Sequence, residues 1–92
     1  MLEAILKKFA DENYDTVKLS VSKTKGLSHF YRVSNSVHVF LLTVSNDNTL
    51  EFALRRKGRR HVKILLWKSQ ISHVDVDELY TRSRSLEPWM FE

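Results

Sequence analysis

Between positions 16 and 68 the chain is cut into five short apolar runs, each bounded by residues that favour turns. This punctuation limits the fold more than any other feature of the sequence. In the first run Val17, Leu19 and Val21 alternate with Lys18, Ser20 and Ser22, the period of a strand with one face buried. Strands are expected over about 16–23, 28–34, 36–45, 49–56 and 60–68. The breaks are Lys23-Thr24-Lys25-Gly26, Ser34-Asn35-Ser36, Asn46-Asp47-Asn48 and Lys57-Gly58. Asparagine and glycine tolerate the left-handed backbone that tight turns need. Five strands in simple succession make an antiparallel meander.

The ends of the chain carry a different period. Leu2, Ile5, Leu6 and Phe9 fall on one helical face, and a helix is expected over about 2–12, closed by Asn13-Tyr14-Asp15. Near the other end, Asp75 with Glu78 forms a capping box, and Val74 with Leu79 occupies hydrophobic-staple positions. Asp77 places negative charge in the first turn, and Arg82 and Arg84 complement the last. A helix over about 76–83 follows, then a tail over 84–92 in which Pro88 forbids continuation. Trp89, Met90 and Phe91 are expected to fold back on the core. The fold class is thus α+β: one domain over 1–92, a five-stranded antiparallel meander with a helix at each end. Strong curling or a barrel-like closure is left open.

Ninety-two residues leave room for one core with a thin stability margin. The absence of cysteine excludes disulfides, thiolate metal sites and cysteine nucleophiles together, and fits a reducing interior. The N-terminal residues lack the pattern of a signal peptide. The longest apolar stretch, Ile64 to Trp67, is far too short to span a bilayer. A cytoplasmic location, in its own or a host cell, and no membrane association are therefore expected. Histidines 29, 38, 61 and 73 have no metal-ligand spacing, and no phosphate loop or nucleophile elbow occurs. No metal, no cofactor and no assigned catalytic residue are expected.

Charge is distributed unevenly. Between Thr16 and Val74 there are eleven Lys and Arg against Asp47 and Glu51, so this body is +9 and the two ends together are −5 within a net charge of +4. A basic body suggests a polyanionic partner. The densest part is Arg55-Arg56-Lys57-Gly58-Arg59-Arg60-His61-Val62-Lys63, six Lys and Arg in nine residues around a glycine free to take positive φ. A two-stranded ribbon of this kind fits the DNA major groove, and guanidinium groups hold phosphates or guanine edges. Arg55, Arg56, Lys57, Arg59, Arg60 and Lys63 are the main candidate contacts, with Arg32 and Lys18 on the neighbouring sheet.

Strict alternation predicts two unlike sheet faces. One, under the helices, collects Val17, Tyr31, Val33, Val39, Leu41, Phe52 and Ile64 with their alternating neighbours. The other collects Lys18, Phe30, Arg32, Phe40, Leu42, Arg55, Leu65 and Trp67. Aromatics among cations are the composition of a nucleic-acid stacking surface, with Phe30, Phe40 and Trp67 as candidate rings. The same apolar residues also fit a homodimer interface or a second small core.

From Phe30 to Arg56 the chain reads Phe-Tyr-Arg-Val, a turn, Val-His-Val-Phe, an Asn-Asp-Asn turn, then Leu-Glu-Phe-Ala-Leu-Arg-Arg. This stretch resembles the sheet of bacterial toxin endoribonucleases, in which basic residues bind and cleave RNA. The resemblance implies an acid–base pair drawn from His38, Glu51 or His61, with Arg32 or Arg55 steadying phosphate. The chain departs from that family in lacking a helical pair between its first strand and this sheet. The leading expectation is a small accessory or regulatory protein that binds DNA or RNA. A protein-binding inhibitor or adaptor of viral or plasmid type, acting on an acidic partner, is the rival. A small endoribonuclease is third.

Overall fold

The computed structural model describes residues 1–22, 25–55 and 63–86. Helix α1 spans Leu2–Asp11, strands β1 to β5 span Asp15–Lys18, Leu27–Ser34, Val39–Ser45, Thr49–Arg55 and Lys63–Gln70, and helix α2 spans Val76–Arg84 after a single 3-10 turn at Ile71–His73. The strands form one antiparallel sheet in the order β1-β2-β3-β4-β5. The meander and its two flanking helices are therefore as the sequence indicates. The sheet is open, with β1 and β5 as its edges, and does not close into a barrel.

Both helices pack on one face. The core joins Ile5 and Phe9 of α1 with Val33, Phe40, Leu42, Val44, Leu50, Phe52 and Leu54 of the sheet and Leu79 of α2. Its centre is aromatic: Phe9 lies 5.2 Å from Phe52 and meets Tyr14 edge-on at 5.2 Å, while Phe40 stacks on Phe52 at 4.9 Å. Such ring pairs add about 0.5–1.5 kcal/mol each beyond the area they bury. Burial raises the pKa of the Tyr14 hydroxyl above its ordinary value.

The start of α2 forms with the Asp75 cap and the Val74–Leu79 staple that its sequence prescribes. Asp75 Oδ1 accepts from the Glu78 backbone N–H at 3.0 Å, and Val74 and Leu79 are both buried in the core. The Glu78 carboxylate turns forward to Arg82 at 3.3 Å.

Two expectations about the sheet faces are corrected. The connection between β2 and β3 is a four-residue loop, since Ser34 pairs with Val39, rather than the three-residue turn expected. Asn35 closes this loop: its Oδ1 accepts from the backbone N–H groups of Val37 at 2.9 Å and His38 at 2.7 Å. Side chains alternate with period two, so one extra loop residue exchanges the two faces of the following strand. Phe40, Leu42 and Val44 consequently enter the helix-side core, and Val39 and Leu41 turn away from it. Strand β1 ends at Lys18 rather than continuing to 23, and its faces are exchanged too: Thr16 pairs with buried Val33, and Val17 pairs with Arg32 on the opposite side.

A bulge produces the third departure. The β4–β5 register shifts between Phe52, opposite Trp67, and Ala53, opposite Leu65. The extra residue, Leu66, lets Ile64, Leu66 and Trp67 all pack against the core. The indole of Trp67 donates to Ser69 Oγ at 2.9 Å and carries the Arg82 guanidinium at 4.7 Å from its ring centre.

Candidate nucleic-acid interface on the open sheet face

The register identifies which side chains share the face away from the helices, because directly paired residues point to the same side. One row crosses all five strands: Val17, Arg32, Leu41, Ala53 and Leu65. A second runs Phe30, Thr43, Glu51 and Lys68 across β2 to β5. At the hairpin end, Arg55 pairs with Lys63 as the last rung of β4–β5.

Exposure along the first row is uneven. Leu41 and Ala53 in its middle retain 8% each, whereas Val17 at one end is 39% exposed and Leu65 at the other 53%. Leu41, Thr43, Glu51, Ala53, Lys63 and Leu65 line a shallow depression of about 210 Å³. That is smaller than the roughly 300–1,000 Å³ typical of small-molecule sites. Four cations, Arg32, Arg55, Lys63 and Lys68, face Asp15 and Glu51 on this surface, a net charge of +2. The Lys68 ammonium lies 3.9 Å from the Glu51 carboxylate, a solvated pair that contributes little to stability.

The candidate residues therefore divide. Arg32, Phe30, Arg55 and Lys63 come together on the open face. Lys18 does not join them, for it pairs with Tyr31 and stands on the helix side at the β1 edge. Phe40 is fully buried and unavailable for stacking on a base, and Trp67 packs on the core beneath Arg82. Arg56, Lys57, Arg59 and Arg60 lie outside the described residues, as do His61 and the tail from Glu87 to Glu92. Phe40 and Leu42, two of the residues that suggested a homodimer, are both buried within the chain itself. Sequence reasoning placed Arg32 and Leu65 on this face and set Val17 and Leu41 on the other. For Leu41 the deciding feature is the four-residue loop that Asn35 closes.

Of the acid–base residues proposed, His38 and Glu51 do not converge, and His61 lies outside the described residues. His38 lies beside Phe40, ring centres 5.6 Å apart, on the helix side, and burial lowers its pKa below the ordinary histidine value. Glu51 is on the open face, paired with Thr43, five positions along the chain from His38. Among the described residues no group of three or more His, Asp or Glu side chains is placed to hold a metal ion. No helix among them is long and apolar enough to cross a membrane.

Comparison with protein-family models, with curated proteins and with solved structures finds no match in any of the three.

Proposed function

We propose that this protein binds nucleic acid, through the basic β4–β5 hairpin and the open face of the sheet. The observation that carries this reading is the Arg55–Lys63 rung. Two cations stand side by side at the end of a ribbon, and the sequence between them adds Arg56, Lys57, Arg59 and Arg60. No acidic residue intervenes anywhere from Phe52 to Val74. Charge of one sign along a ribbon attracts phosphate and releases its counterions, a gain that needs no particular sequence. The protein acts as a non-enzymatic binding or regulatory module. With no cysteine to oxidise, it suits the cytosol of its own or a host cell.

A second reading, an acidic protein partner, is favoured by the exposure of Leu65 and Val17 at the ends of the apolar row. Titration of a labelled mixed-sequence oligonucleotide at increasing salt separates the two. Nucleic-acid binding should weaken linearly on a log–log plot by about 0.7–0.9 per phosphate contact. Absence of binding at low salt, to DNA and RNA alike, would leave the acidic protein as the better reading.

A further inference from the structure

We infer that the nucleic acid is double-stranded and that the open face holds it by its phosphates, with no base stacked on the sheet. This rests on the nucleic-acid reading above and adds the class of nucleic acid and the part of it that is gripped. The face offers bases nothing to lie on: Leu41 and Ala53 at its centre are buried, and exposed Leu65 stands alone beside them. Among the described residues Phe30 is the one ring that the strands turn to this side, and it is half-buried. Phe40 and Phe52 lie within the core, and Trp67 packs there beneath Arg82. Proteins that bind single strands draw much of their affinity from rings on which successive bases stack. Without such rings counterion release remains. Each phosphate contact then contributes more on a duplex, with a log–log slope of about 0.9 against about 0.7 on a single strand.

The cations are placed for two phosphate ridges. Lys63 and Lys68 lie towards opposite ends of β5, and Arg55 is the cross-strand neighbour of Lys63. Arg32 stands on β2 in the row of Leu41, Ala53 and Leu65, level with the middle of β5. Three strand spacings, about 14 Å, separate it from that strand. The basic residues thus mark three corners of a patch whose centre is closed by Leu41 and Ala53. One extended backbone runs along a line through two of these corners. A duplex presents two ridges beside a groove roughly 6 or 12 Å wide, and these reach all three. Arg32, Arg55 and Lys63 have no carboxylate partner among the described residues, and Lys68 has only its solvated contact with Glu51. Phosphate therefore displaces no buried or tightly held ion pair here.

The test uses the full chain and one sequence of about 16 nucleotides, made as DNA and as RNA, each presented as a single strand and as a duplex. Fluorescence anisotropy should show a duplex bound about fivefold or more tighter than its own single strands, with the steeper salt slope. The tighter of the two duplexes identifies DNA or RNA as the ligand. Arg32→Ser and Lys63→Ser, both at exposed positions, should each make the duplex slope shallower by about 0.9. Phe30→Leu, which removes the ring, should leave duplex affinity within about twofold. The comparison of strand forms needs only the parent protein, so it decides the matter if a variant melts early. Single strands bound as tightly as both duplexes, or a duplex slope unchanged in folded Arg32→Ser and Lys63→Ser, would overturn the inference while the nucleic-acid reading stands. So would a large loss of affinity in folded Phe30→Leu. No binding of any form at low salt would overturn both.

Discussion

The Phe9 ring lies 5.2 Å from that of Phe52, and this contact keys helix α1 to the centre of the sheet. Both side chains are fully buried, and Phe9 also meets Tyr14, Phe40 and Tyr80. Truncating it removes one partner from every ring in that cluster. Phe9→Ala should cost about 3–5 kcal/mol, a large share of the roughly 5–15 kcal/mol that holds a domain together. Urea denaturation should show the midpoint falling accordingly; a loss under about 1 kcal/mol would mean that α1 does not dock as described.

The cap of α2 makes a smaller and more local prediction. Asp75→Ala removes the acceptor of the Glu78 N–H and should cost about 0.5–2 kcal/mol. Asp75→Asn, which keeps an acceptor oxygen, should recover most of the loss. A thermal melt of the alanine variant identical to the parent would contradict the observed helix start.

Asn35 sets the loop that decides which way β3 faces. Removal of its carboxamide oxygen leaves the N–H groups of Val37 and His38 without that acceptor. Two hydrogen bonds of this kind, one exposed and one half-buried, are worth about 1–2 kcal/mol together. Asn35→Ala should lower stability by that amount, and Asn35→Asp should lower it less. Chemical denaturation of the three proteins in parallel checks the order.

This loop also marks where the sequence stopped being legible. The helix ends and the turns carry local chemistry: Asp75 and Glu78 for the cap, and Asn46-Asp47-Asn48, where Asn48 adopts φ 67° and Asp47 accepts from the Thr49 N–H. Those elements could be read from neighbouring residues alone. The facing of β3 could not, because Val39, Phe40, Leu41, Leu42 and Val44 are apolar on both sides of the strand and alternation gives no sign of which set is buried. Loop length decides it, and with it the fate of Phe40. Likewise the bulge at Leu66 brings Trp67 onto the core through a register shift that no local residue announces. Within the candidate site, the basic residues were evident from composition, whereas the apolar row that joins them depends on pairing across five strands.

Histidine 38 predicts a pH effect of fixed sign. Burial lowers its folded pKa below the ordinary value of 6.5. Below that ordinary value the unfolded chain takes up a proton that the folded chain resists, so stability falls as pH falls. The contribution is fully present above pH 6.5 and is lost as pH drops through the lowered folded pKa. His38→Gln should flatten this part of the stability–pH curve. An unchanged curve would rule out half-buried His38 as the titrating group.

The central claim, that the basic hairpin grips nucleic acid, is tested most directly by the salt dependence of binding in Arg56→Ser, Lys57→Ser, Arg59→Ser, Arg60→Ser. These four positions lie between the ends of β4 and β5, so the sheet pairings from Arg55 and Lys63 inward are untouched by the change. Circular dichroism should therefore match the parent. Affinity for a mixed-sequence oligonucleotide should fall, and the log–log slope against salt should become shallower by about 0.7–0.9 for each phosphate contact removed. A folded quadruple variant with the parent's affinity and the parent's slope would contradict the claim and remove the hairpin from the mechanism.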